Sequence, residues 1–424
     1  MDNKTQTTST TSCADDWEPS ALSVEAARER ILREIDPITG TEKLALRDCL
    51  NRFLADDIVS PLNVPSHLNS AMDGYAIASS DLPQDGSRDY EVTDTAYAGV
   101  PATQICQPGQ VIRIMTGGLI PEGTDTVIMQ EQVEHISDSV IRLKPGHKAG
   151  QNVRQAGEDI QQGATVLRRG QQINAADLGI LASLGIAECR VIRRPRIAFF
   201  STGDELRSLG ETLAAGEIYD SNRYTLFGML KQLPVEILDM GVVKDTPEAI
   251  QAAFTEAAKM ADCVITSGGV SVGEADYIKP TLEKLGNIHF WKIRMKPGRP
   301  LTFGKLGDAR FFGLPGNPVA VMITFLQFVA PAIHYLASGQ IKNMLTIKAL
   351  SQSKLYKRPG RVEFQRGILS QNEQGELQVT RTGKQGSGIL SSMSLANCFI
   401  LLPENCEGVE IGEQVDVQPF SNSL

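Results

Sequence analysis

The stretch SGGVSVGEADY, residues 267–277, packs three glycines and two serines into its first seven positions and ends beside two acids, Glu274 and Asp276. It follows the apolar run Cys263-Val264-Ile265. Glycine lets backbone N–H groups approach a phosphate, and a helix start behind such a loop favours negative charge. Ser267, Gly268, Gly269, Ser271 and Gly273 are therefore candidates to cradle a phosphate; the alternative is a turn that merely needs small residues. STGDEL (201–206) and KDTP (244–247) share this character, with Thr202, Gly203 and Glu205 in the first and Asp245 in the second. In a parallel sheet such strand ends converge on one rim. Acids beside a phosphate hold Mg2+, which takes few protein carboxylates and keeps several waters. Glu205, Asp245 and Asp276 are the candidate ligands. Asp245 alone reads equally well as a helix cap. Three acids on one rim are harder to dismiss.

A basic element follows in WKIRMKPGRP (291–300). As a strand over 288–296 it would turn Lys292, Arg294 and Lys296 to one face and Trp291, Ile293 and Met295 to the other. A solvated sheet face has the same pattern. The adjoining proline-glycine loops, KPGRP and GLPGNPVA, favour an oxyanion site, because Lys and Arg supply charge-assisted donors. SAMDGYA, MTGG and AGED carry Asp73, Thr116, Glu158 and Asp159 among small residues. Each alone reads as turn chemistry, and no spacing places them at the rim. The five histidines form neither metal-ligand spacing nor a triad. Metal and positioned charge therefore suit this chain better than covalent catalysis.

The elements that must hold these residues are legible in outline. SVEAARERILREI and LALRDCLNRFLADD read as helices. From about Ser60 to Gly150, short β-rich runs alternate with turns, and NAADLGILASLGI restores a helix with Asn174 as its cap. Residues 18–59 and 151–192 would form an N-terminal α+β domain with 60–150 as an inserted β-rich subdomain. After Pro195 strands and helices alternate, which predicts a doubly wound, mostly parallel α/β domain over 193–341. From 342 to 424 short, turn-punctuated strands predict an all-β barrel.

The 424 residues carry a net charge of −9, which argues against broad nucleic-acid or acidic-membrane binding. Seven cysteines without a C-x-x-C motif read as reduced thiols in the cytoplasm. Residues 1–17 read as a polar, disordered tail without a secretion signal. Residues 318–341 contain no Asp, Glu, Lys or Arg, a length that can span a bilayer, but Gln327, Pro331 and His334 interrupt them. A buried helix of the α/β domain is the favoured reading.

NSAMDGYA, RIMTGG, GEDI, STGDEL, SGGVSVGEADY, KPGRPLTFG, GLPGNPV and GSGILSSMSLANCFI, in this order, resemble the molybdopterin molybdenumtransferases, the MoeA proteins, which are similar to the E domain of gephyrin. The resemblance runs from about residue 18 to the end, and its central domain is MogA-like. It implies insertion of molybdate into adenylylated molybdopterin with release of AMP, the last step of molybdenum cofactor synthesis, assisted by Mg2+. It further implies a cytoplasmic homodimer with a cleft to which both subunits contribute, and contacts with molybdopterin adenylyltransferase or other cofactor-synthesis and acceptor proteins. Glu205, Asp245 and Asp276 match the acidic rim, Asp73, Thr116 and Asp159 the N-terminal functional positions, and Lys292 and Lys296 the basic strand. Pro315 and Pro318 match the proline loop, and Arg366 and Ser387 positions in the C-terminal domain. Ala320 stands where relatives often carry serine; Lys296, Arg366 and Ser387 are expected to compensate. The alternatives are molybdopterin adenylyltransferase, which resembles only the central domain, and a non-catalytic gephyrin-like scaffold.

Overall fold

The computed structural model describes residues 21–268 and 278–420. Two compact units emerge: one holds the chain up to Thr41 and from Ile192 onward, the other Glu42–Val191. The expected tail at 1–17 and the candidate residues Gly269, Ser271, Gly273 and Asp276 lie outside the described residues.

In the larger unit, Arg196–Thr202 is buried at every residue after the first, as its unbroken apolar run requires of a strand covered on both faces. It is flanked by Glu236–Val243 and Cys263–Ser267, and Cys263–Ser267 by Ala309–Leu314, all parallel. Pro300–Leu306 and then Gly286–Lys292 complete the six-stranded sheet antiparallel. Helices Ser221–Lys231, Pro247–Met260 and Ile278–Leu285 connect the strands. Under one face Phe254 meets Phe200 and Phe311 edge-on, with ring centroids 5.3 and 5.4 Å away. Each such buried ring contributes about 1.5–3 kcal/mol.

The residues from Pro318 to Ser338 form one helix of 21 residues with a π-helical turn at Phe325–Val329. By length and composition it is apolar enough to cross a membrane, yet 72% of its most apolar window is buried inside the protein. Packing explains that composition. The opening helix Val24–Arg33, capped by the Ser23 hydroxyl, lies against it: Arg28 Nε donates to the Gln327 carbonyl at 2.9 Å. Ile38 N donates to the Leu336 carbonyl at 2.8 Å. This opening segment therefore belongs with the α/β domain and not, as its sequence position suggests, with residues 151–192.

The barrel closes through five strands, Val362–Gln371, Leu377–Arg381, Ile347–Ser351, Gln414–Pro419 and Cys398–Leu402, the last returning to the first. The basic segment is not one strand. Gly286–Lys292 ends in the central sheet, and Met295–Lys296 pairs in parallel with Val362–Gln371 of the barrel. The two-sided pattern survives the crossing, with Ile293 and Met295 fully buried and Lys292 and Lys296 exposed.

In the smaller unit, residues 42–59 and 165–191 share one core built on Cys49, Leu54, Leu167, Ile173, Leu181 and Val191. Between them lies a six-stranded sheet in the order Thr126–Met129, Gly74–Ile77, Gln110–Ile114, Arg88–Ala96, Val140–Leu143, Glu134–Ser137. The expected helix over LALRDCLNRFLADD is instead a strand, Thr41–Ala45, and one 3-10 turn, Leu46–Cys49. Asn51 then takes a φ of 62°, which stops helical propagation. Phe53 and Leu54 bridge to Gln172 and Val191 instead.

Candidate functional site

Thr202, Ser267 and Leu314 end three neighbouring parallel strands, so their loops share the carboxyl rim of the sheet. The Ser201 and Ser267 hydroxyls lie 3.0 Å apart beneath it. Gly268 has a φ of +85°, and a Cβ there would sit 2.9 Å from the Thr202 carbonyl. Its N–H donates to the Leu314 carbonyl at 3.2 Å. A Cβ on Gly316, in the proline loop between Pro315 and Pro318, would lie 3.9 Å from Gly268 Cα. Asn222 Nδ2 holds that loop, donating to the Gly316 carbonyl at 2.8 Å. Thr202 Oγ1, Thr266 Oγ1, Asp220 Oδ2 and Asn222 Oδ1 are buried without hydrogen-bond partners among the described residues. Such atoms are rare in native proteins and cluster where a ligand or water completes the structure. Asp220 and Asn222 escaped the sequence reading; the signal was YDSN at a helix start, where Asp220 accepts from Arg223 N as the cap.

The acids meet beside this rim. The Glu205 carboxylate folds over Gly203, where a Cβ would approach it to 2.6 Å. Thr246, not Asp245, caps the helix Pro247–Met260, its Oγ1 accepting from Ala249 N at 3.3 Å. Asp245 is thereby left to face the other acids, and its N–H donates to Asp204 Oδ1 at 3.4 Å. Partial burial, then the charges of Asp204 and Glu205, push the Asp245 carboxyl above its ordinary value. Asp204 is an acid that sequence reasoning passed over. Among the described residues no three His, Cys, Asp or Glu side chains gather closely enough to enclose a metal ion. The donors are nonetheless hard carboxylate oxygens whose mutual repulsion a divalent cation relieves, which suits Mg2+ chemistry.

A second group forms where the α/β domain meets the barrel. Lys296 Nζ donates to Glu363 Oε1 at 2.9 Å. Lys292, exposed, closes its strand opposite Pro300. Arg366 is 1% exposed; its Nε donates to Ser392 Oγ and its Nη2 to the Gly386 carbonyl, each at 3.0 Å. Burial pushes its pKa down to about 10. The next carbonyl, of Ser387, accepts from Val319 N at 3.0 Å, at the start of the helix that contains Ala320. Arg366, Ser387 and the Pro318 helix start are thus tied in one place, whereas their sequence positions are far apart.

In the smaller unit the antiparallel pairing of Gly74 with Ile114 brings Asp73 and Thr116 together. Asp73 Oδ1 accepts from Thr116 N at 2.7 Å and from its hydroxyl at 2.8 Å, holding the Asp73 carboxyl below the usual range. Asp159 sits on a different turn, its N–H on the Val64 carbonyl at 3.0 Å.

The fold and rim define a doubly wound α/β protein whose ligand chemistry belongs at the carboxyl ends of its strands. The family model for the MoeA N-terminal region (domain I and II) matches residues 22–185, that of a probable molybdopterin binding domain residues 198–335, and that of the MoeA C-terminal region (domain IV) residues 348–420. A molybdopterin molybdenumtransferase of Haemophilus influenzae is 46% identical over 404 residues, covering 95% of this chain and 100% of that protein. Gephyrin of Dictyostelium discoideum is 33% identical across 94% of this chain and 62% of its own length. The crystal structure of a molybdopterin biosynthesis moeA protein from Pyrococcus horikoshii OT3 superposes with a TM-score of 0.82 at 30% identity, covering 94% of this chain and 100% of that one. The chain belongs to the molybdopterin molybdenumtransferase (MoeA) family.

Proposed function

We propose that this chain is a molybdenum insertase: it takes adenylylated molybdopterin and molybdate, releases AMP and yields molybdenum cofactor. The observation that carries this reading is the 46% identity to a molybdopterin molybdenumtransferase covered along its whole length. Similarity in all three regions favours it over the adenylyltransferase, which resembles the central domain alone.

In this reading the small-residue rim, Thr202, Gly203, Ser267 and Gly268 with Gly269, Ser271 and Gly273, receives the phosphates of the adenylate. Glu205 and Asp245, with Asp276, would hold Mg2+, which when bound would supply positive charge to ease cleavage of the P–O bond. Lys292 and Lys296 orient molybdate by charge-assisted hydrogen bonds. Arg366 acts more through the Gly386–Ser387 loop it anchors than by direct contact, because its Nε and Nη2 already have protein acceptors. The Thr116 bonds fix the Asp73 carboxylate in one orientation and hold its pKa below the usual range. Asp73, Thr116 and Asp159 are proposed as functional, the assembly as a cytoplasmic homodimer, and the handover partners as other proteins of cofactor synthesis.

Incubating the purified protein with adenylylated molybdopterin, Mg2+ and molybdate and then adding a cofactor-free molybdoenzyme tests the reading. It predicts that enzyme activity returns, and that chelation of Mg2+ during the first incubation prevents it. Failure of a folded preparation to restore activity contradicts the function; recovery indifferent to chelation contradicts the metal.

A further inference from the structure

We propose that Glu363 is a positioning residue of the insertion reaction: its buried carboxylate holds the Lys296 ammonium in one orientation at the foot of the KPGRP loop. This rests on the reading of Lys296 as a molybdate-orienting group. Lys296 ends the short strand Met295–Lys296, and the parallel register sets it directly beside Glu363. The two side chains have opposite surroundings. The lysine is 56% exposed and the glutamate 10% exposed, so the cation reaches outward from an anion fixed within.

The carboxylate is held on both oxygens. Oε1 accepts from Lys296 Nζ at 2.9 Å, and Oε2 accepts from Gln365 Nε2 at 3.0 Å. Gln365 is itself 5% exposed and its Nε2 also donates to the Tyr356 carbonyl at 3.0 Å. Charge makes Glu363 a hub. It favours the protonated forms of both Lys357 and Arg366, against the burial that lowers each of them. Lys357 cannot do the work of Lys296. It is 8% exposed, and its Nζ donates to the carbonyls of Arg358, Glu404 and Cys406 at 3.1, 3.1 and 3.2 Å. Of Lys296, Lys357 and Arg366, the cations that interact with Glu363 among the described residues, Lys296 is the exposed one. A flexible lysine gains most from such a brace, since orienting its ammonium otherwise costs rotamer entropy in every turnover.

The test is a double-mutant cycle on molybdate-dependent AMP release, with E363Q, K296M and the double variant in the full chain. E363Q is expected to lower kcat about 10-fold with little change in the KM for molybdate, the signature of lost orientation. K296M is expected to cost about 100-fold. If Glu363 acts through Lys296, the double variant matches K296M alone. Multiplied losses of about 1000-fold, or an E363Q enzyme indistinguishable from the parent, overturn the proposal. Glu363→Asp keeps the charge and should recover part of the lost kcat. Gln365→Met, which frees Oε2 and leaves the carboxylate, should reproduce the E363Q pattern more weakly and decides the matter if E363Q does not fold. A parent enzyme that releases no AMP contradicts the insertase reading itself, a result distinct from additivity in an active parent.

Discussion

At Asp245 burial and two neighbouring acids make the ionised carboxylate a cost to stability. A carboxyl whose pKa is raised in the folded state binds its proton more tightly there than in the unfolded chain. Stability therefore falls as pH rises from the ordinary carboxylate range through the higher folded value. Asp245→Asn should accordingly stabilise the protein at a pH above the folded value, modestly because solvent screens the site, and not at all below the carboxylate range. Urea unfolding at the two pH values checks this, and added Mg2+ should narrow the gap. Glu205→Gln, by removing one charge opposite a phosphate-bound cation, is expected to slow AMP release about 100-fold and raise the Mg2+ concentration needed for half-maximal rate. The convergence of Glu205 and Asp245 was legible in sequence because both acids follow strand ends. Asp220 and Asn222 were not, since whether a polar atom lacks a partner depends on packing from other elements, and Asp204 was not, since its approach to Asp245 joins two separate loops.

Elements were legible where local chemistry decides them. Asn174 and Asp177 form a reciprocal capping box at the helix Ala175–Ser183. Asn174→Ala should cost about 1 kcal/mol, measured as a lower urea midpoint for the transition of the Glu42–Val191 unit. Gly268→Ala combines a disfavoured φ with a Cβ 2.9 Å from the Thr202 carbonyl. It should cost about 1–2 kcal/mol in stability, read as a reduced thermal midpoint, and lower AMP release as the rim shifts. Local signals failed where distant partners decide. LALRDCLNRFLADD has helical apolar spacing, but Leu54 is claimed by Val191 and Phe53 by Gln172. The basic strand divides at Ile293 because the barrel strand Val362–Gln371, some seventy positions on, captures Met295 and Lys296.

At the scale of the molecule, the class of each region followed from its rhythm, alternating strands and helices in the centre and short strands at the end. The attachment of the opening helix did not. It depends on Arg28 meeting the π-turn at Gln327, whose Nε2 donates in turn to Gln418 Oε1 of the barrel at 3.1 Å. That buried chain of polar groups joins three segments that no local pattern relates. The grouping of Lys296, Glu363 and Arg366 arises likewise from a strand crossing between two sheets. The most direct measurement is AMP formation from adenylylated molybdopterin and Mg2+, followed by chromatography with and without molybdate. The account predicts AMP release by the parent protein that depends on molybdate and falls about 100-fold in K296M. A folded protein that forms no AMP, or forms it equally without molybdate, contradicts it.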